Sequence, residues 1–243
     1  MNPPTRERQK PRIPSPGAVT SPPGPRPPSA VEAPQRTGSQ AARLAALRPL
    51  QDVNAYCLEM LVRAARTERA DTPSLVGHLQ DLLRRMTPEM RARAAERSLL
   101  LVDMHFASPE WWQAAKDHPS RAAPIPTWRG TYPNPPAAAL ARAALNFAWH
   151  TARADPEATC LLGMVPKVCE TISTLSLLEI DQLLERRFRH VRPRWEDRPA
   201  VWRSLLLAAE TNGLRRMRSF NLYSLQLLIG EMWSGNPAPK DTR

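Results

Sequence analysis

Two stretches 90 residues apart share one outline, and this constrains the chain more than any other feature. HFASPEWWQAA (His105 to Ala115) runs from an aromatic residue through a short polar turn with proline into tryptophan and a helical run. RPRWEDRPAVWRSLL (Arg192 to Leu206) follows the same course. The elements around them also repeat in order: a long Ala-rich helix, two shorter helices, an extended apolar connector, and a helix opened by proline. With an offset of 89, Leu79, Leu83, Met86 and Thr87 line up with Val168, Ile172, Leu175 and Ser176. With an offset of 90, Glu89, Met90, Pro109 and Trp112 line up with Glu179, Ile180, Pro199 and Trp202. A period this long is not a solenoid repeat. It predicts an all-α fold of two similar small helical units in tandem, a dimer-like arrangement within one chain.

Proline marks the boundaries. The chain holds 27 prolines against 9 glycines, and 11 of the prolines precede residue 41, among Ser, Gly, Arg and Thr with no apolar periodicity. Such a segment buries too little surface to offset its ordering entropy, so residues 1–38 read as a disordered, Pro-rich arm. The first unit then spans 39–112. It contains the long helix AARLAALRPLQDVNAYCLEMLVRAARTERAD, bent around Pro49, then SLVGHLQDLLRRM, then TPEMRARAAERS capped by Thr87 with Pro88 at the first helical position. LLLVDMHF is either a strand or a buried extended connector; periodicity does not decide. Ser108 and Pro109 open the next helix. Residues 113–136 carry six prolines and form a linker, packed down through Ile125, Trp128 and Tyr132. The second unit, 137–210, repeats the order, with a capping box at Ser176 and Glu179 and with Asp197 as the cap of its last helix. A helical extension, 211–233, and a disordered tail, 234–243, complete the chain.

Several function classes find no support. No apolar run of signal-peptide or bilayer-spanning length occurs, which predicts a soluble, cytoplasmic protein with no membrane partner. Cys57, Cys160 and Cys169 contain no CxxC pair and read as buried thiols, and the five histidines lie far apart, so neither a metal nor a cofactor is expected. The chain has no phosphate-cradling glycine loop, no GxSxG and no HExxH. Asp103 and His105 share a face if extended, but a surface or capping role fits them better than a catalytic dyad. No catalytic residue is assigned.

From Leu162 onward the second unit resembles a known family. LGMVPKVCETISTLSLLEIDQLLERRFRHVRPRW is similar, without a gap, to the central region of the flagellar transcriptional regulator FlhD. Leu162, Gly163 and Met164 match that family's Leu-Gly-Ile turn. Ile172, Leu175, Ser176 and Leu177 match its Leu-x-x-Leu-Thr-Leu step, Ile180 and Leu183 its next helix, and Arg194 the arginine ending its connector. In the first unit, DVNAYCLEML is similar to the family's opening Asp-Ile-Asn, and MTPEM to its Leu-Thr-Leu-Pro-Gln-Met step. The resemblance covers roughly 60 residues of the second unit and, more loosely, a similar length of the first. It implies a helical, dimerising subunit of a transcription activator whose FlhC-like partner makes most specific DNA contacts. The family's cross-linking cysteine falls on Val191, so that bond is absent. AETNGLRRMRSF echoes a family motif out of register and reads as chance.

The formal net charge of +11 fits an anionic partner, although a GC-rich genome also enriches arginine. The candidate DNA contacts are Arg186, Arg187, Arg189, Arg192 and Arg194, interleaved with Phe188 and Trp195, and then Arg215, Arg216 and Arg218 after the break at Asn212-Gly213. An alternative makes Phe188 and Trp195 core anchors and the arginines a solvated face. The helix–break–helix around Gly213 is only loosely helix-turn-helix-like. Trp111, Phe220, Tyr223, Leu227 and Trp233 are the candidate interface for a partner subunit or self-association. The function expected is a DNA-associated transcriptional regulator; the alternative is a helical adaptor or anti-activator with no DNA contact.

Overall fold

The computed structural model describes residues 33–67, 74–117, 132, 134–211 and 213–234. Its elements are α1 (Ala33–Arg66), α2 (Ser74–Arg84), α3 (Pro88–Ala95), β1 (Val102–Asp103), α4 (Pro109–Asp117), α5 (Asn134–Ala154), α6 (Pro166–Ser173), α7 (Leu177–Arg187), β2 (Arg192–Pro193), α8 (Pro199–Glu210) and α9 (Leu214–Ser234). Short 3-10 turns occupy Pro156–Leu162 and Phe188–His190. The fold is mainly α-helical, and no helix among the described residues is long and apolar enough to cross a membrane.

The chain divides into two compact units, 1–42 and 43–243. Only the opening of α1 is described in the first. That helix begins at Ala33, inside the segment expected to be a disordered arm, because Pro34 is tolerated in a first turn and the following Ala-rich run favours helix. The rest of the arm lies outside the described residues. So do the residues after Ser234, and most of the linker, including Ile125 and Trp128.

Local signals set several helix starts. The Thr87 hydroxyl accepts from Met90 N–H, and Pro88 takes the first helical position of α3. Ser176 and Glu179 form the full capping box of α7. The start of α8 differs from expectation. Its cap position is Arg198, with no side-chain bond, because Pro199 supplies the first helical residue; Asp197 lies one residue upstream, exposed. LLLVDMHF resolves into the two-residue strand β1 within a buried connector.

Residues of 39–112 and 137–210 share one hydrophobic core within the unit 43–243, so they are not two bodies joined by a linker. α8 packs on α2 and α3, while α4 packs on α6, so the fourth helix of each segment lies on a helix of the other. β1 pairs antiparallel with β2, Val102 opposite Pro193 and Asp103 opposite Arg192. Backbone bonds across the junction run from Leu100 N–H to Leu161 O (3.0 Å), Val165 N–H to Phe106 O (3.1 Å) and Arg194 N–H to Leu101 O (2.8 Å). Tyr132, from the linker, is buried with its hydroxyl 3.1 Å from the Cys57 thiol. Burial pushes that thiol up to about 12, so it stays a neutral packing group. Cys169 is buried too, whereas Cys160, expected inside, is exposed.

Several local geometries recur at the expected spacing. His105 and Trp195 both adopt the left-handed conformation, at φ 58° and 56°. Ser108 N–H donates to His105 O and Arg198 N–H to Trp195 O, each at 2.9 Å. The buried indoles of Trp112 and Trp202 donate back to the carbonyls of His105 (3.1 Å) and Arg194 (2.7 Å).

Candidate nucleic-acid interface

The connector arginines separate by environment. Arg194 is 1% exposed. Its Nε donates to Leu100 O (3.0 Å), its Nη2 to Leu162 O (2.6 Å) and Val102 O (3.3 Å), and its Nη1 pairs with Glu231 (2.8 Å). It crosses Gly163, whose φ of 65° and lack of a Cβ make room: a Cβ there would lie 2.4 Å from Arg194 Nη1. As a DNA contact Arg194 is therefore corrected to an internal cross-link, since its donors are consumed by carbonyls. Arg187 is corrected too, on burial and ring contact rather than on hydrogen bonds. It is 5% exposed, and its guanidinium sits 5.2 Å above the Trp111 ring. Arg192 is part-buried and grips Asp103 through Nε (2.9 Å) and Nη2 (2.8 Å). Only Arg186 and Arg189 of this run are fully exposed, and Arg189 leans over the Phe188 ring.

Asp103 is thus buried rather than superficial. Burial alone would raise its pKa, but Arg194 and Arg192 outweigh burial and hold the carboxyl below its ordinary value. It also accepts from Phe106 N–H at 3.2 Å, a capping role. His105 stacks on Trp111 with ring centroids 4.8 Å apart, and His190 Nδ1 lies 3.4 Å from His105 Nε2. Trp111 is thereby fixed between segments distant in the chain; the interface role expected of it is met inside the molecule. Among the described residues no three His, Cys, Asp or Glu side chains gather as a metal would require.

The second basic run has a different setting. Arg215, Arg216 and Arg218 are exposed on the first turns of α9. α9 packs on α8, and its Phe220, Ser224 and Leu228 are buried at a spacing of four, with Leu228 over Gly163. Phe220 is accordingly corrected from interface to core, because it is 4% exposed and belongs to the hydrophobic core. Leu227 is half-buried, while Tyr223 (47%) and Trp233 (79%) are exposed with Leu222 (66%) and Ile229 (53%).

Tertiary structure adds arginines that reading along the chain missed. Arg93 Nε donates to Ala209 O (2.8 Å) at the end of α8, and Arg97 Nη1 donates to Asn221 Oδ1 (3.2 Å) on α9. Asn221 shares a helix face with Arg218, three residues before it. Arg85 pairs with Glu210 at 3.1 Å. Exposed Arg85, part-buried Arg93 and exposed Arg215, Arg216 and Arg218 form one basic corner, tied together from inside by Arg97, which is 7% exposed and, like Arg194, internal. Glu210 and the nearby Glu96 offset part of its charge. Arg93 and Arg97, one helical turn apart in ARAAERS, carried a signal. Nothing in the sequence tied that signal to α9.

No protein-family model matches this chain, and neither a curated protein nor a solved structure matches it.

Proposed function

We propose that the chain is a non-catalytic transcriptional regulator of two FlhD-like units, a dimer-like body within one polypeptide, working in the cytoplasm on duplex DNA with a partner subunit. The observation carrying this reading is the arginine corner, where basic side chains from α3 and its flanks meet those of α9. Forked guanidinium donors at such density suit phosphate oxygens. The repeated caps, the paired left-handed residues His105 and Trp195 and the β1–β2 pairing support the two-copy element of the reading. The motifs around Leu162–Met164 and Arg194 support its likeness to FlhD.

Arg215, Arg216 and Arg218 changed together to alanine test it. Fluorescence anisotropy with a labelled duplex, between about 50 and 300 mM salt, should show weaker binding and a log–log salt slope shallower by roughly 2 to 3, near 0.9 for each lost phosphate contact. An unchanged slope in a variant with wild-type circular dichroism would sink the proposal. The second reading, a helical adaptor, draws on the exposed apolar side chains Leu222, Ile229 and Trp233 of α9.

A further inference from the structure

An apolar concavity sharing no residue with the arginine corner lies between α1 and α5. It has a volume of about 700 Å³, within the range of small-molecule sites. Leu50, Val53 and Leu162 form a buried floor, and Phe147 packs beside them. Small residues of α5 and the turn after it, such as Ala143, line the wall and leave the space open.

Its charge is the unexpected part. The chain carries 34 Lys and Arg against 23 Asp and Glu. Yet among the described residues no Lys or Arg lines this groove; beside His150, its charged side chains are two carboxylates, Asp52 from α1 and Asp155 after α5. Both are exposed at its rim. An apolar floor and two rim carboxylates define one ligand chemistry.

We propose that this groove binds an apolar small molecule carrying a protonated amine, with the hydrocarbon on Leu50, Val53 and Phe147 and the ammonium between Asp52 and Asp155. The site shares no residue with the basic corner and does not depend on the DNA reading.

Three probes with one tail test this on the full chain by titration calorimetry below their micellar concentrations: n-decylamine, n-decanol and decanoate. Decylamine should bind saturably at one site, roughly tenfold tighter than decanoate, the preference two solvent-exposed carboxylates supply. Ala143→Phe, which fills the groove without touching its charges, should abolish that binding while leaving the helical circular dichroism intact. Asp52→Asn with Asp155→Asn should bring decylamine down to the affinity of decanol; asparagine retains the capping acceptor at 155. Equal binding of decylamine and decanoate to the wild type would overturn the proposal. So would no saturable binding of any probe, or undiminished decylamine binding by a folded Ala143→Phe variant.

Discussion

His190 is buried against His105, Arg187 and Arg192, and its pKa is set by that company. Burial, reinforced by the neighbouring His105, Arg187 and Arg192, lowers it from 6.5 to about 4. His105 is lowered too, mainly by burial. A histidine depressed in the folded state is protonated first in the unfolded chain. Its stabilising effect is therefore complete above pH 6.5 and fades as pH falls toward 4. The loss from His190 should be on the order of 2 kcal/mol. Urea unfolding at pH 7 and pH 5 should show a lower midpoint at pH 5, and His190→Gln should flatten that difference. Equal sensitivity in the variant would assign the effect elsewhere. Asp103, held low by Arg194 and Arg192, acts only in a more acidic window, below the ordinary carboxyl value. Arg194 is a different case at this scale. Its type and position were legible, but its environment was not. A guanidinium bonded to Leu100, Val102 and Leu162 carbonyls is indistinguishable in sequence from one in water.

Helices of this chain were legible where a cap or a period marked them, and α9 shows the limit. FNLYSLQLLIGEMW is apolar on more than one side, which marks a helix with two contacts rather than one. Only docking on α8 reveals that Phe220, Ser224 and Leu228 face inward while Leu222, Ile229 and Trp233 face out. Two variants separate the faces. Phe220→Ala should cost about 3 kcal/mol in chemical denaturation, the range for emptying a buried aromatic position. Leu222, Ile229 and Trp233 changed together to serine should stay within about 1 kcal/mol of wild type, while lowering any self-association seen in sedimentation velocity. A loss comparable to Phe220→Ala would mean that the outer face is core. The start of α8 carries a similar lesson. Asp197 is a good cap by type, but Pro199 moves the first helical residue and passes the cap position to Arg198.

Over the whole unit 43–243, the consequence of the fold is interlock. With α4 on α6 and α8 on α2 and α3, neither segment keeps its core when the other leaves. A protease site inserted between residues 118 and 131 tests this. After cleavage the two fragments should co-elute as one species, melt in one transition, and separate only in denaturant. Fragments that part under native conditions would refute the interlock. The sequence by itself determined the helical class, the order of elements and two caps. These follow from local chemistry: side-chain period, proline geometry and hydroxyl capping act within a few residues. Tertiary structure alone decided which arginines are internal, that α8 crosses to the other segment, and that Arg93 joins α8 while Arg97 joins α9. Burial depends on what packs against a residue from 100 or more positions away, as Arg93 and Ala209 do, and no local pattern encodes that.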